Sequence, residues 1–251
     1  EMCIRDRPFD HVLFTGSTQV GRLVAKAAAE NLVPTTLELG GKSPALIHES
    51  YSLDRAAERI AIGKTYNGGQ TCIAPDYALL PKSKVDAFVE KLRAQIVKQH
   101  PNGHGFTTMA TDKGLERMKT LVADAKAKGA KVTETFTALP GTRAFGPVIL
   151  TDVKDDMLVM QEEIFGPITR INARPRPLSF YYFDDDQDRV DGVLRRVTSG
   201  GVCVNDTLVH FAQEELPFGG VGPSGMGAYH GLKGFETFSH LRSVLVASRV
   251  S

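Results

Sequence analysis

An α/β fold is predicted for this chain, on three observations. Short apolar runs bounded by turn residues alternate with stretches whose apolar residues recur at helical spacing. Gly-containing turns stand at the junctions. Strands and helices that alternate in this way favour a sheet with crossover connections over an all-β or all-helical fold.

The first strand is read at His11-Val12-Leu13-Phe14, followed by the turn Thr15-Gly16-Ser17 and a helix carrying Val20, Leu23, Val24 and Ala27. Thr36-Leu37-Glu38-Leu39 ends at Gly40-Gly41 as a second strand, and Ala45-Leu46-Ile47 reads as a third. A helix from Leu53 to Tyr66 stops at Asn67-Gly68-Gly69, where paired glycines end regular structure. Tyr77 to Leu80 is a strand, after which Ser83 caps a helix with Val85, Phe88, Val89, Leu92 and Ile96 on one face. Thr111 to Lys128 forms a further amphipathic helix, and Lys131–Thr135, Val148–Leu150 and Gly201–Val204 are strands. Nine of the 24 glycines fall between Gly200 and Gly234. That density suits either backbone packed against a ligand or another chain, or an ordinary turn-rich tail. Glu1 to Arg7 follow no period and are read as a leader outside the fold.

Composition narrows the class of function. The chain has 251 residues, enough for a sizeable core, with 42% hydrophobic and 24% charged residues. A formal charge of +1 argues against a protein held mainly by nucleic acid. Apolar runs stop at four residues, so neither a membrane span nor a secretory signal is expected, and a cytoplasmic protein is. Cys3, Cys72 and Cys203 form no C-x-x-C pair, and the one close histidine pair, His100 and His104, straddles Pro101-Asn102-Gly103. No metal site is expected.

Four places could carry chemistry. Cys72 follows the Gly-rich stop Asn67-Gly68-Gly69-Gln70-Thr71, where unpaired main-chain N–H groups would lower a thiol's pKa and stabilise an oxyanion; a buried structural cysteine is the alternative. Glu38, between two leucines, suits general base work if desolvated; the alternative is a pair with Lys42 at the sheet edge. Thr15 to Gly21 is a strand-to-helix turn that could receive a pyrophosphate, without the G-x-G-x-x-G spacing. Glu162-Glu163-Ile164-Phe165-Gly166-Pro167 sets a carboxylate and a ring beside a turn, as a ribose and a flat heterocycle require.

Phe14-Thr15-Gly16-Ser17, Leu37-Glu38-Leu39-Gly40-Gly41-Lys42-Ser43-Pro44, Gly69-Gln70-Thr71-Cys72, Glu162 to Pro167 and Pro217-Phe218-Gly219-Gly220 occur in this order, with Glu38 and Cys72 34 residues apart. In order and spacing they resemble the NAD(P)-dependent aldehyde dehydrogenase superfamily. Cys72 to Tyr77 and Gly222 to Gly231 are similar to its class-three branch, nearest the bacterial coniferyl aldehyde dehydrogenases. The resemblance implies an aldehyde dehydrogenase-like catalytic domain (40–219) and a remnant of the Rossmann-type NAD(P)-binding domain (8–39). A Gly-rich C-terminal segment (220–251) would follow, its Val244-Leu245-Val246 able to pair across a subunit edge in a homodimer or homotetramer.

It implies Cys72 as nucleophile toward an aromatic or medium-chain aldehyde and Glu38 as the base that activates water. It places Gly16, Ser17, Val20, Leu39, Glu163 and Phe165 at NAD or NADP, with Ser17 at the pyrophosphate, Glu163 at the nicotinamide ribose and Phe165 near the nicotinamide. Family members are about twice as long, and their upstream half holds an Asn-Pro-Trp-Asn segment; this chain has no Trp. They also place a strand and a crossover helix where Arg170-Ile171 stand here, a loss on the order of fifteen residues by typical element lengths. The chain as written is therefore expected to lack useful turnover. A noncatalytic assembly partner that keeps the catalytic-domain fold is the second reading.

Overall fold

The computed structural model describes residue 7, residues 9–170 and residues 177–247. Most of the segment read as a leader, and the Ile171 side of the expected deletion, lie outside the described residues.

Two sheets organise the chain. The smaller holds β1 (Val12–Gly16), β2 (Thr35–Leu39) and β10 (Gly225–Met226) in the order β1-β2-β10. β1 and β2 run parallel, joined by α1 (Thr18–Glu30), while β10 lies antiparallel on β2 with Gly225 opposite Glu38. Ser17 caps α1, its Oγ accepting from the Val20 N–H, and Val24 of that helix packs on Leu37 and Leu39. The strand reaches Gly16, two residues beyond the sequence expectation, because Thr15 and Gly16 keep their ladder with Glu38 and Leu39.

The larger sheet has the order β5-β6-β7-β4-β3-β8-β9. Its strands are β3 (Ser43–Ile47), β4 (Pro75–Leu79), β5 (Lys131–Glu134), β6 (Val148–Thr151), β7 (Ile168–Arg170), β8 (Ser179–Phe183) and β9 (Gly201–Val204). All neighbours are parallel except β5 and β6. One face is covered by α2 (Leu53–Thr65) and α3 (Val85–Gln99), whose Ile60, Phe88, Leu92 and Ile96 pack on Ala45, Ile47, Tyr181 and Phe183. Fully burying such a side chain stabilises by about 1.5–3 kcal/mol. Met118 and Leu121 of α4 (Asp112–Ala127) close a second core over Leu150 and Ile168. α5 (Gln187–Leu194) covers the opposite face through Val190, against Phe180 and Tyr182.

Ser83 does not cap α3. It lies inside a 3-10 turn, Lys82–Lys84, and the helix begins at Val85 with no side chain bonded to its first N–H groups. The Gly-rich segment is not a loose tail: the Leu39 N–H donates to the Ser224 carbonyl, and Phe218 and Tyr229 bond to each other in both directions.

The join between β7 and β8 is short. Both run parallel to β4 and β3, which lie between them, yet only residues 171–178 connect Arg170 to Ser179. A parallel crossover ordinarily takes a dozen residues or more and includes a helix.

Candidate active site

The turn after α2 sets Cys72. Asn67, Gly68 and Gly69 are left-handed in succession, with φ of 51°, 62° and 74°. Gly69 has a second reason to be glycine, since a Cβ there would strike the main chain at Gly166 and Pro167. The Cys72 turn and the Glu163 turn are thus packed backbone to backbone.

Glu38 stands at the middle of the small sheet, 3% exposed, and neither carboxylate oxygen has a hydrogen-bond partner. Burial pushes its carboxyl up to about 8. The alternative of a pair with Lys42 is overturned: the Lys42 Nζ donates to the carbonyls of Val159, at 3.0 Å, and Glu162, and lies 3.9 Å from Asp76. Burial also raises Glu163 to about 7, opposed by a hydrogen bond from the Gly41 main chain. A Cβ at position 40 would meet the Glu163 carboxylate, so glycine here lets that flexible side chain settle against the main chain.

Cys72 corrects one expectation. Its thiol is pushed up to about 11, first by burial and then by the Glu163 and Glu38 carboxylates; the N–H groups of Cys72 and Ile73 lower it but do not win. Cys203 is likewise raised to about 11 by burial, so pKa alone does not separate the two thiols. Exposure does, because Cys203 is 7% exposed inside the main core while Cys72 is half-buried at a cavity wall.

That cavity, about 1070 Å³, brings the candidate residues together. Gly16, Ser17, Glu38, Leu39, Cys72, Glu163 and Phe165 all line it. Val20 does not: it lies on the first turn of α1, 42% exposed, and contributes its N–H to the Ser17 cap. Phe165 is held at φ 49°, rare for a ring-bearing residue, and is half exposed.

The sequence reading missed the groups that hold these turns. Arg117 of α4 donates to the carbonyls of Ile164, at 2.6 Å, and Glu163, and pairs with the Glu162 carboxylate at 3.1 Å. Arg22, Gln70, Met109 and Met118 line the same cavity. The Arg117 bonds to the Glu163 turn span 45 to 47 residues, so no local pattern marks them. Among the described residues, no group of three or more His, Cys, Asp or Glu side chains could hold a metal ion.

Comparisons with known proteins agree on one family. The model of the aldehyde dehydrogenase family matches residues 1–244. A probable coniferyl aldehyde dehydrogenase of Pseudomonas aeruginosa is 48% identical over 258 residues, covering 96% of this chain and 54% of the relative. A mouse dimeric NADP-preferring aldehyde dehydrogenase is 44% identical, covering 96% of this chain and 56% of its own length. The solved structure of a substrate-bound Staphylococcus aureus AldH superposes with a TM-score of 0.88 at 38% identity, covering 98% of this chain and 57% of that one.

The chain spans about half the length of the curated relatives it matches. The P. aeruginosa alignment, at 258 residues, is longer than the 251 residues of this chain, so the relative carries residues within the matched stretch that have no counterpart here. From the matched family model, the close relatives and the shared fold, the chain belongs to the aldehyde dehydrogenase family.

Proposed function

We propose that this chain carries the chemical half of an NAD(P)-dependent oxidation of an aldehyde to a carboxylic acid, the aldehyde being aromatic, such as coniferyl aldehyde, or medium-chain. The observation that carries the reading is the meeting of Cys72, Glu38, Glu163 and Phe165 on one cavity with the N-terminal turn of α1.

The residues present fit the nicotinamide end of such a cofactor. Ser17 and the free N–H groups of the α1 N-terminus suit a pyrophosphate, and a buried carboxylate at Glu163, cradled by Gly40, suits ribose hydroxyls. Leu39 and Gly16 wall the same space. The adenosine end lacks such support among the described residues: β1 is an edge strand, and Leu13 and Leu23 are 50% and 64% exposed.

In the proposed reaction the Cys72 thiol gives its proton to water in the cavity and its sulfur adds to the aldehyde carbon, while the carbonyl electron pair moves to oxygen, where the Cys72 N–H stabilises the oxyanion. A bound oxidised nicotinamide supplies the acceptor for the hydride that leaves this carbon, together with a positive charge that opposes the burial keeping the thiol protonated. Cys72 is left as a thioester. Glu38 then takes a proton from water as the water oxygen adds to the thioester carbon, and the C–S bond breaks to release the acid and the Cys72 thiolate. Glu38, desolvated and without a partner, is a stronger base than an exposed carboxylate.

The domain boundaries expected at 39/40 and 219/220 belong to the same proposal, as do a cytoplasmic location and assembly as a homodimer or homotetramer in a complete form. Leu241, Val244, Leu245 and Val246 are 70–94% exposed. No helix among the described residues is long and apolar enough to cross a membrane.

The test is to follow reduced nicotinamide with an aromatic and a medium-chain aldehyde, in a form joined to a family N-terminal half with the β7–β8 connection restored. Turnover that Cys72→Ser abolishes supports the reading. Turnover that survives Cys72→Ser contradicts it.

A further inference from the structure

We propose that Gln70 is a positioning residue: its side-chain amide holds the Cys72 turn in its left-handed form and fastens it to the segment that leads into α4. This rests on the assignment of Cys72 as the nucleophile.

Every polar atom of the amide is used. Nε2 donates to the carbonyl of Asn67 at 3.1 Å and to that of Thr108 at 3.1 Å, and Oε1 accepts from the Ala110 N–H at 2.8 Å. Two carbonyls on one side and an N–H on the other fix which end of the amide is which. The first bond closes the turn on itself. The other two reach residues 38 and 40 positions away. Asn67 completes the closure, donating from Nδ2 to the Gln70 carbonyl at 3.1 Å.

The turn needs such a clamp. Gly68 and Gly69 enter the left-handed region at no steric cost and Asn67 tolerates it better than most side chains, so the run that follows the end of α2 is permitted by its own residues but not held by them. The segment it is tied to is itself fixed: the Met109 N–H donates to the Arg143 carbonyl at 2.9 Å, and the Arg143 Nε donates to the Met109 carbonyl at 3.0 Å. Thr111 then caps α4, which carries Arg117 to the Glu163 turn. One stretch, Thr108 to Arg117, therefore braces both turns that frame the cavity, and Gln70 is the contact through which it holds the nucleophile.

Gln70→Met keeps the length of the side chain and removes all three bonds; Gln70→Ala removes the side chain as well. The folded 251-residue chain and both variants are treated with substoichiometric iodoacetamide across a range of pH, and the labelling of Cys72 and Cys203 is resolved by peptide mass spectrometry. A released turn lets water reach the Cys72 sulfur. In both variants Cys72 should be labelled at least fivefold faster at neutral pH, with its pH inflection moved downward, while Cys203, inside the main core, keeps its parent rate.

A Cys72 rate that stays within twofold of the parent or falls overturns the proposal. So does a Cys203 rate that rises in step with Cys72, since that would report general loosening. Preferential labelling of Cys203 in the parent chain instead overturns the assignment of Cys72 itself, and this inference with it.

Discussion

Glu38 costs the fold stability in a way that can be measured. Its carboxyl stands at about 8 in the folded chain and near 4.5 when exposed. Between those values the folded chain keeps a proton that the unfolded chain has lost, so stability falls as pH rises from about 4.5 to about 8. Glu163, raised to about 7, adds in the same direction. Glu38→Gln should therefore leave stability near the parent value at pH 4 and raise it at pH 9 by about 2–4 kcal/mol, allowing for water in the cavity. Urea titration at the two pH values measures this, and equal stability at pH 9 would show that the carboxylate is solvated. At this scale the sequence was informative about identity and poor about environment. Glu38 between leucines pointed to desolvation correctly, whereas the Gly-rich turn at Cys72 suggested a lowered thiol pKa. Local sequence shows the N–H groups, but the burial that outweighs them comes from distant chain.

Elements with local start signals were legible. Ser17, Ser52 and Thr111 each stand as the N-cap of a helix, their oxygens accepting from the N–H three residues on. Thr111→Ala should cost about 1 kcal/mol by urea denaturation, a typical loss for such a cap. β8 was not anticipated, because Ser179–Phe183 is buried at every position and shows no alternation. The bracing contacts of Arg117 and Gln70 are illegible for a related reason: they reach main-chain groups 38 to 47 residues away. The contact between the Gly40 backbone and Glu163 gives a sharper test at this scale. Gly40→Ala should push the flexible end of Glu163 aside at a cost of about 1 kcal/mol or less, and should cost less still in a Glu163→Ala background. Urea denaturation measures both, and an equal loss in the two backgrounds would contradict the packing account.

For the molecule as a whole, the two halves of the proposed reaction make different demands on the fold. Oxidation needs a cofactor held within about an ångström of its working position, and misplacement of that size costs about a hundredfold in rate. With β1 at the edge of its sheet among the described residues and only residues 171–178 between β7 and β8, we predict that the 251-residue chain forms no measurable reduced nicotinamide from aldehyde with NAD or NADP. Thioester hydrolysis needs only Cys72, Glu38 and water. An activated ester such as p-nitrophenyl acetate transfers its acetyl group to a cysteine directly, releasing p-nitrophenolate, and makes the same kind of thioester without a cofactor. The most direct measurement is therefore p-nitrophenolate release by the 251-residue chain and by its Glu38→Gln variant, with the acetylated residue located by peptide mass spectrometry. The account predicts a stoichiometric burst that acetylates Cys72, then slow turnover, with Glu38→Gln keeping the burst and accumulating the acetyl adduct. Acetylation of Cys203 in place of Cys72, or hydrolysis of the Cys72 adduct at the same rate in the variant, would contradict it.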